Sequence, residues 1–273
     1  MAVSAAMIEP MPDTPDAPDP KSRFSDRVDA YVKHRPTYPP VVLDFLRDTG
    51  FLRDAMTVAD IGSGTGISSA LFVRGGYQVI GVEPNAAMRS AAEQMLAGER
   101  NFTSVAGSAE ATTLADASVD LVVAGQAFHW FDRKAFAAEC RRILRPGPAG
   151  TPGGVSLFWN SRKLTGSPFA EQYEALLNTF GTDYARVRHD AITDTEIADF
   201  YAPQSVRTAR FPLSQKFDYA GLEGRLLSSS YTPPAGDLRR TDVLAALREI
   251  FDRCQVDGHV LMEYWTEVHV GRL

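Results

Sequence analysis

The sequence is poor in cysteine, in net positive charge and in long apolar runs, and each shortage removes a class of protein. Two cysteines among 273 residues, Cys140 and Cys254, cannot staple a chain of this size, and they form no C-x-x-C or Cys/His ligand spacing. Both are expected to be buried thiols of a reducing compartment. No window holds the roughly 18 uninterrupted apolar residues that a membrane helix needs, so no membrane partner is expected. Lys and Arg number 28 against 34 Asp and Glu, a net charge of −6. A field of that sign repels a phosphate backbone and argues against a nucleic-acid partner. His34, His189, His259 and His269 are scattered without metal-ligand spacing, and no metal is expected.

What is present is a 44% hydrophobic composition, enough to bury a sizeable core. The first twenty residues carry five prolines and four acids with neither a basic nor an apolar stretch. Residues 1–22 are therefore expected to be a disordered tail, and cytoplasmic residence follows as the default. Phe24, Val28, Tyr31 and Val32 recur at helical spacing up to Arg35-Pro36, and Val41, Val42, Phe45 and Leu46 start a second amphipathic run.

From Thr57 short apolar runs alternate with helical stretches. Strands are expected at Thr57 to Ile61, Gln78 to Val82, Phe102 to Ala106, Val119 to Ala124 and Val155 to Trp159. Between them fall a helix through Ile67, Ala70 and Leu71, one capped by Asn85 carrying Met88, Ala92 and Met95, and one capped by Asp132 carrying Phe136, Cys140 and Ile143. Arg141, Arg142 and Arg145 lie at the end of the last of these, where the helix dipole favours cations. Phe169, Tyr173, Leu176 and Leu177 predict another helix, as do Val243, Leu247, Ile250 and Cys254 with Thr241 as its cap. Met262 to Val270 alternates as a terminal strand with one buried face. Strands and helices in this order imply a doubly wound, mostly parallel, Rossmann-like α/β sheet.

The run Asp60-Ile-Gly-Ser-Gly-Thr-Gly66 places Gly62, Gly64 and Gly66 at alternate positions between a strand and a helix. Such a turn brings backbone against a ligand at the carboxyl edge of the sheet, and Glu83, ending the next strand, suits a pair of ribose hydroxyls. The dinucleotide spacing fails, because Ile67 stands three after Gly64, and no phosphate-binding G-x-x-x-x-G-K-[ST] run exists. Lys and Arg are absent between Asp54 and Phe72. A nucleoside without phosphate and with a positive centre fits this loop better than a dinucleotide.

These residues resemble motif I and the following acid of class I S-adenosylmethionine-dependent methyltransferases. Gly107-Ser-Ala-Glu110 with Leu114 and the run Asp116 to Asp120 resembles the family's segment near the adenine. Gln126-Ala-Phe-His-Trp-Phe-Asp132 resembles a segment of small-molecule methyltransferases similar to trans-aconitate methyltransferase and its fungal relatives. Tyr31 to Pro39, Arg141 to Gly147 and Leu227 to Tyr231 resemble further segments of that subgroup. One departure is the lengthened Pro-Gly turn after Arg145.

The resemblance implies a seven-stranded class I fold with N-terminal lid helices and a C-terminal helical and strand extension. Residues 23–273 would be a single methyltransferase domain, with a cofactor-binding core over 57–160 and a substrate side over 161–273. It implies S-adenosyl-L-methionine held by Tyr31, Arg35, Asp60, Gly62, Ser63, Gly64, Thr65, Gly66, Glu83, Pro84, Ser108, Ala109, Glu110 and Gln126. Phe128, His129, Trp130, Arg162 and Tyr231 would line the pocket of a small-molecule acceptor, in a monomer or homodimer. Methyl transfer from a sulfonium is an in-line displacement, so positioning carries most of the work. His129 is either a base toward the acceptor or a wall of its pocket. The rival classes are a nicotinamide-dependent oxidoreductase and a noncatalytic module that binds S-adenosylmethionine.

Overall fold

The computed structural model describes residues 33–147, 153–182, 184, 192–229, 231–234 and 236–273. The first expected helix, with Phe24, Val28, Tyr31 and Val32, lies outside them, as do the expected disordered tail and His189. The chain then runs α1 (Val41–Asp48), β1 (Thr57–Ile61), α2 (Ile67–Arg74), β2 (Gln78–Val82), α3 (Ala86–Met95), β3 (Phe102–Val105) and β4 (Leu121–Gly125). After a 3-10 turn at Phe128–Trp130 come α4 (Arg133–Ile143), β5 (Gly154–Arg162), α5 (Pro168–Phe180), α6 (Asp194–Tyr201), β6 (Val206–Phe217), α7 (Tyr219–Leu227), α8 (Arg239–Cys254) and β7 (Val260–Arg272).

All seven strands join one sheet in the order β3-β2-β1-β4-β5-β7-β6. The first five pair in parallel and β7 runs antiparallel between β5 and β6. This is the seven-stranded Rossmann-like class I fold. The strand order reverses at β1 and β4, and in open α/β sheets the crevice outside the carboxyl ends at such a switch point is where ligands bind.

Alternation along the strands divides the core. Val58, Leu121, Val123 and Phe158 pack under α1 and α2, while Ala59, Ile61, Val122, Ala124, Leu157 and Trp159 pack under α4 and α6. A third cluster joins α5, α7 and α8 to Phe217, Val260, Met262 and Tyr264. Because β7 is antiparallel, its first residues lie beside the last residues of β5, with Arg162 opposite Tyr264. The helices of this third cluster therefore stand over the carboxyl edge of β5.

Local chemistry fixes the helix starts. Asn85 Oδ1 accepts from the Ala87 and Met88 N–H groups, and Asp132 Oδ1 accepts from those of Lys134 and Ala135. Each such cap is worth about 1 kcal/mol. Thr193 and Glu196 make a reciprocal capping box on α6.

Several expectations are corrected. Thr241 does not cap α8, which begins at Arg239; Asp237 Oδ1 takes the Arg239 N–H instead, at 2.9 Å. The fourth strand starts at Leu121, because Val119 makes an isolated bridge to Leu144 and Arg145 binds back to it through Val119 O. Cys140 is fully buried as expected, but Cys254 is half-buried at the end of α8 and accepts from Gln172 Nε2. Arg142 and Arg145 are ion-paired, to Glu139 and Asp116 and to Asp120, rather than serving the dipole alone. His269 breaks the alternation of β7: it is 4% exposed, stacked on Trp159.

Candidate functional site

The glycine turn is built by three residues in left-handed conformations, with φ of +69° at Gly62, +55° at Gly64 and +87° at Gly66. Space demands glycine at the first as well. A Cβ on Gly62 would stand 2.7 Å from Ala127 Cβ and 3.1 Å from Phe131 Cζ. The turn is tied to the end of β2, since the Gly62 and Ser63 N–H groups both donate to Val82 O, at 2.8 and 3.2 Å.

That tie brings Glu83 beside the turn. Its Oε2 accepts from the Gly64 N–H at 3.0 Å and its Oε1 from the Asn85 N–H at 2.9 Å. Burial raises its pKa, and the two backbone donors only partly offset that. The carboxylate is thus oriented by backbone, and each oxygen retains accepting capacity toward a ligand.

Asp60 sits behind the turn. It is fully buried, and its Oδ2 accepts from Ser68 Oγ at 2.7 Å and Ser69 Oγ at 2.6 Å. Burial lifts its pKa to about 6 despite those hydroxyls. Its Oδ1 and the Thr65 Oγ1 are buried without hydrogen-bond partners among the described residues.

A cavity of about 820 Å³ opens over this edge. Its wall brings together Arg35, Gly62, Ser63, Gly64, Thr65, Glu83, Pro84, Ser108, Ala109, Glu110, Gln126, His129, Trp130, Arg162 and Tyr231, all expected from the sequence. Three expected residues do not line it. Asp60 lies beneath the turn, Gly66 faces Ala92 with room for no more than a hydrogen, and Phe128 is 1% exposed in the core against Phe136 and Phe200. Tyr31 lies outside the described residues.

Gln126 ends β4 with φ of +61°, a strained conformation for a non-glycine residue, and its Oε1 accepts from the Asn160 N–H. Asn160 in turn donates to Thr37 O and accepts from Thr266, tying the N-terminal segment to the sheet. In the 3-10 turn that follows, the His129 ring lies 4.7 Å from that of Trp130. Burial, with Arg35 nearby, lowers the His129 pKa to about 4.

The sequence reading missed Arg225, Tyr264, Trp159 and His269, which also line the cavity. Arg225 on α7 is 6% exposed and donates to Tyr264 Oη and Ser229 Oγ. Arg35 reaches Ser228 O from the opposite chain end, and Gly224 leaves the space that His34 fills. No group of three or more potential metal ligands occurs among the described residues.

Residues 59–149 match the family described as the methyltransferase domain. Over that third the chain is similar to a methyltransferase domain, and its sheet has the class I fold. It is 37% identical over 143 residues to an uncharacterized methyltransferase of Mycobacterium tuberculosis, covering 51% of this chain and 52% of that one. An uncharacterized methyltransferase of Schizosaccharomyces pombe is 30% identical over 155 residues, covering 56% and 58%. The chain thus spans about half the length of these curated relatives.

Among solved structures, a candidate type II methyltransferase from Anaeromyxobacter dehalogenans aligns over 87% of this chain and 97% of its own, with a TM-score of 0.62 at 21% identity. A phosphoethanolamine N-methyltransferase of Haemonchus contortus, solved with phosphomonomethylethanolamine and S-adenosylhomocysteine, aligns over 91% of this chain and 57% of its own. Its TM-score is 0.51 at 14% identity. Both likenesses concern the fold of the methyltransferase domain.

Proposed function

We propose that this chain is an S-adenosyl-L-methionine-dependent methyltransferase acting on a small-molecule acceptor. One observation carries the reading: a single cavity joins the glycine turn and Glu83 to Gln126, His129 and Trp130 at the ends of β1, β2 and β4. The residues fit such a cofactor. No Lys or Arg occurs in the chain between Asp54 and Phe72 to hold a phosphate from the turn itself, while Glu83, the buried Asp60 and the unpartnered oxygens Asp60 Oδ1 and Thr65 Oγ1 favour a nucleoside with cationic character. The Haemonchus contortus neighbour, solved with S-adenosylhomocysteine, supports the same cofactor class.

On this reading Glu83 accepts from the ribose hydroxyls, and the 108–110 turn with Pro84 borders the adenine. The Gly62 to Thr65 backbone and Arg35 hold the methionine part, and Asp60 acts through Ser68 and Ser69 as a positioning residue. Bound S-adenosyl-L-methionine supplies a methyl group on a positively charged sulfur, open to in-line displacement by an acceptor atom. Gln126, held rigid between β4 and β5, and the His129 and Trp130 rings orient that acceptor and exclude water. With its pKa lowered to about 4, His129 is a weak base, and we place it in the wall. The net charge of −6 supports an acceptor other than nucleic acid. No helix of the described residues is long and apolar enough to cross a membrane. Cytoplasmic residence, as a monomer or homodimer, completes the proposal.

Calorimetry with S-adenosylhomocysteine and with NAD tests the cofactor. S-adenosylhomocysteine is expected to bind, and a library of small acceptors with S-adenosylmethionine to yield a product heavier by one methylene. Binding of NAD with no response to S-adenosylhomocysteine would overturn the proposal, and cofactor binding without turnover of any acceptor would reduce it to a binding module.

A further inference from the structure

The cavity continues past the His129 and Trp130 wall toward the β6 edge of the sheet. Leu157 lies opposite His269 and Trp159 opposite Glu267, and β6 sets Thr208 and Arg210 beside those two β7 residues. Residues opposite one another share a face, so all of them stand on the face where Leu157 and Trp159 pack under α4 and α6. Trp159, Arg210, Glu267 and His269 line the cavity there, together with Ile192, Asp194 and Ile197 from the start of α6. Neighbouring strands are about 4.8 Å apart, which puts β7 about 10 Å from β4 and about 15 Å from the glycine turn after β1. In the strand order, β4 with its His129 and Trp130 wall separates this branch from Glu83 at the end of β2.

His269 is the residue of the branch whose chemistry is left unused. It is 4% exposed, and its ring stacks on that of Trp159 with centroids 4.8 Å apart. Nδ1 lies 3.1 Å from Thr208 Oγ1, while Nε2 is buried without a partner among the described residues. Leaving a buried polar atom unbonded is costly, and an apolar side chain would fill the same place without that cost. Burial lowers the His269 pKa against the opposing effect of Glu267 and Asp194, which favours the neutral ring. Its Nε2 then donates or accepts according to which way the proton between Nδ1 and Thr208 lies.

The neighbours decide which ligand group suits that nitrogen. Glu267 is paired with Arg210 at 3.1 Å, and Asp194 adds a further negative charge at the rim. A carboxylate would meet two acids and one arginine that is already engaged. An ammonium is drawn by Asp194 but only donates, so it serves Nε2 in one tautomer alone, and the Trp159 indole N–H beside it can only donate as well. A hydroxyl donates and accepts, matches Nε2 in either tautomer and brings no charge.

We propose that His269 hydrogen-bonds through Nε2 to a hydroxyl group on the non-reacting end of the methyl acceptor, which extends past Trp159 into this branch of the cavity. The inference rests on the methyltransferase reading above. Ile192 and Ile197 give the carbon frame of such an alcohol an apolar surface. Thr208 is a positioning residue, holding the ring through Nδ1.

The test follows the nitrogen NMR signals of the His269 ring, assigned by their loss in His269→Phe. The protein, with and without S-adenosylhomocysteine, is titrated with benzyl alcohol, toluene, benzylamine and benzoate. Benzyl alcohol is expected to move the Nε2 signal and to bind about fivefold or more tightly than toluene, the yield of one neutral hydrogen bond. His269→Phe keeps a ring against Trp159 and is expected to bind the alcohol no better than toluene. His269→Gln, which restores a donor and an acceptor, is expected to recover part of the preference. Toluene binding as tightly as the alcohol, a preference for the amine or the acid, an Nε2 signal that stays still as the alcohol binds, or a preference that survives in His269→Phe would each overturn the assignment. Absence of S-adenosylhomocysteine binding would instead overturn the methyltransferase reading, and the alcohol preference would then be scored on the free protein.

Discussion

Replacing His129 by Gln separates a proton acceptor from a pocket wall. Burial and the Arg35 charge lower the imidazole pKa from 6.5 to about 4, so that at neutral pH about one ring in a thousand is protonated. A general base is most effective with a pKa near the working pH and contributes about 100-fold or more to the rate. At saturating S-adenosylmethionine and acceptor, His129→Gln is therefore expected to keep turnover within about tenfold of wild type. The same shift has a stability signature. Between pH 6.5 and about 4 the unfolded chain binds a proton at His129 that the folded chain refuses, so wild-type stability is lost as pH falls through that window. The drop of about 2.5 pKa units amounts to about 3 kcal/mol, which the variant does not lose. Urea unfolding of both proteins at about pH 7.5 and about pH 4.5 would capture most of it. A stability difference that does not change with pH, or a variant slowed by about 100-fold, would refute the wall assignment.

Three further outcomes are expected. Glu83→Gln leaves one of the Gly64 and Asn85 N–H donors facing an amide and weakens S-adenosylhomocysteine binding by about 10- to 150-fold, the range for one hydrogen bond to a charged group; unchanged affinity in calorimetry would remove Glu83 from the site. Asp60 shifts the opposite way to His129: its folded pKa of about 6 lies above the usual 3.8, so its contribution is full below pH 3.8 and lost as pH rises to about 6. Asp60→Asn should accordingly gain about 3 kcal/mol of stability relative to wild type across that window in denaturant unfolding, and a flat difference would contradict it. Gly62→Ala forces a Cβ against Ala127 at a positive φ and should cost about 2–4 kcal/mol, read as a lower thermal midpoint.

The cofactor side was legible in the sequence because its signals are local. The glycine turn, Glu83, the Asn85 and Asp132 caps and five parallel strands each declare themselves within a few residues. β6 did not. It is the sheet's edge strand, carries Pro212, and alternates exposed and half-buried residues until Phe217, which reads as polar loop. α6 left one readable sign, the Thr193-x-x-Glu196 capping box. α7 is weakened as a helix pattern by Gly221 and Gly224, and its Arg225 looks like the exposed face of an amphipathic turn. Its burial comes from Tyr264, nearly forty residues later, and no short window contains that. Asp60 shows the opposite error: adjacency to the glycines suggested contact, but strand alternation turns its side chain behind them.

Four arginines, Arg35, Arg162, Arg210 and Arg225, line the cavity of a chain whose net charge is −6. Toward β1 and β2 the carboxylates are held by backbone N–H groups and serine hydroxyls, with the Arg89 charge beside Glu83. Toward α7 and β7, Arg225 is held by tyrosine and serine oxygens, whereas Arg162 pairs with Glu174 and Arg210 with Glu267. On the proposed methyltransferase reading, a cofactor held at the glycine turn and an acceptor held against the His129 and Trp130 wall need no proton transfer by His129, and positioning of this kind is where most of the rate of a displacement reaction can be found.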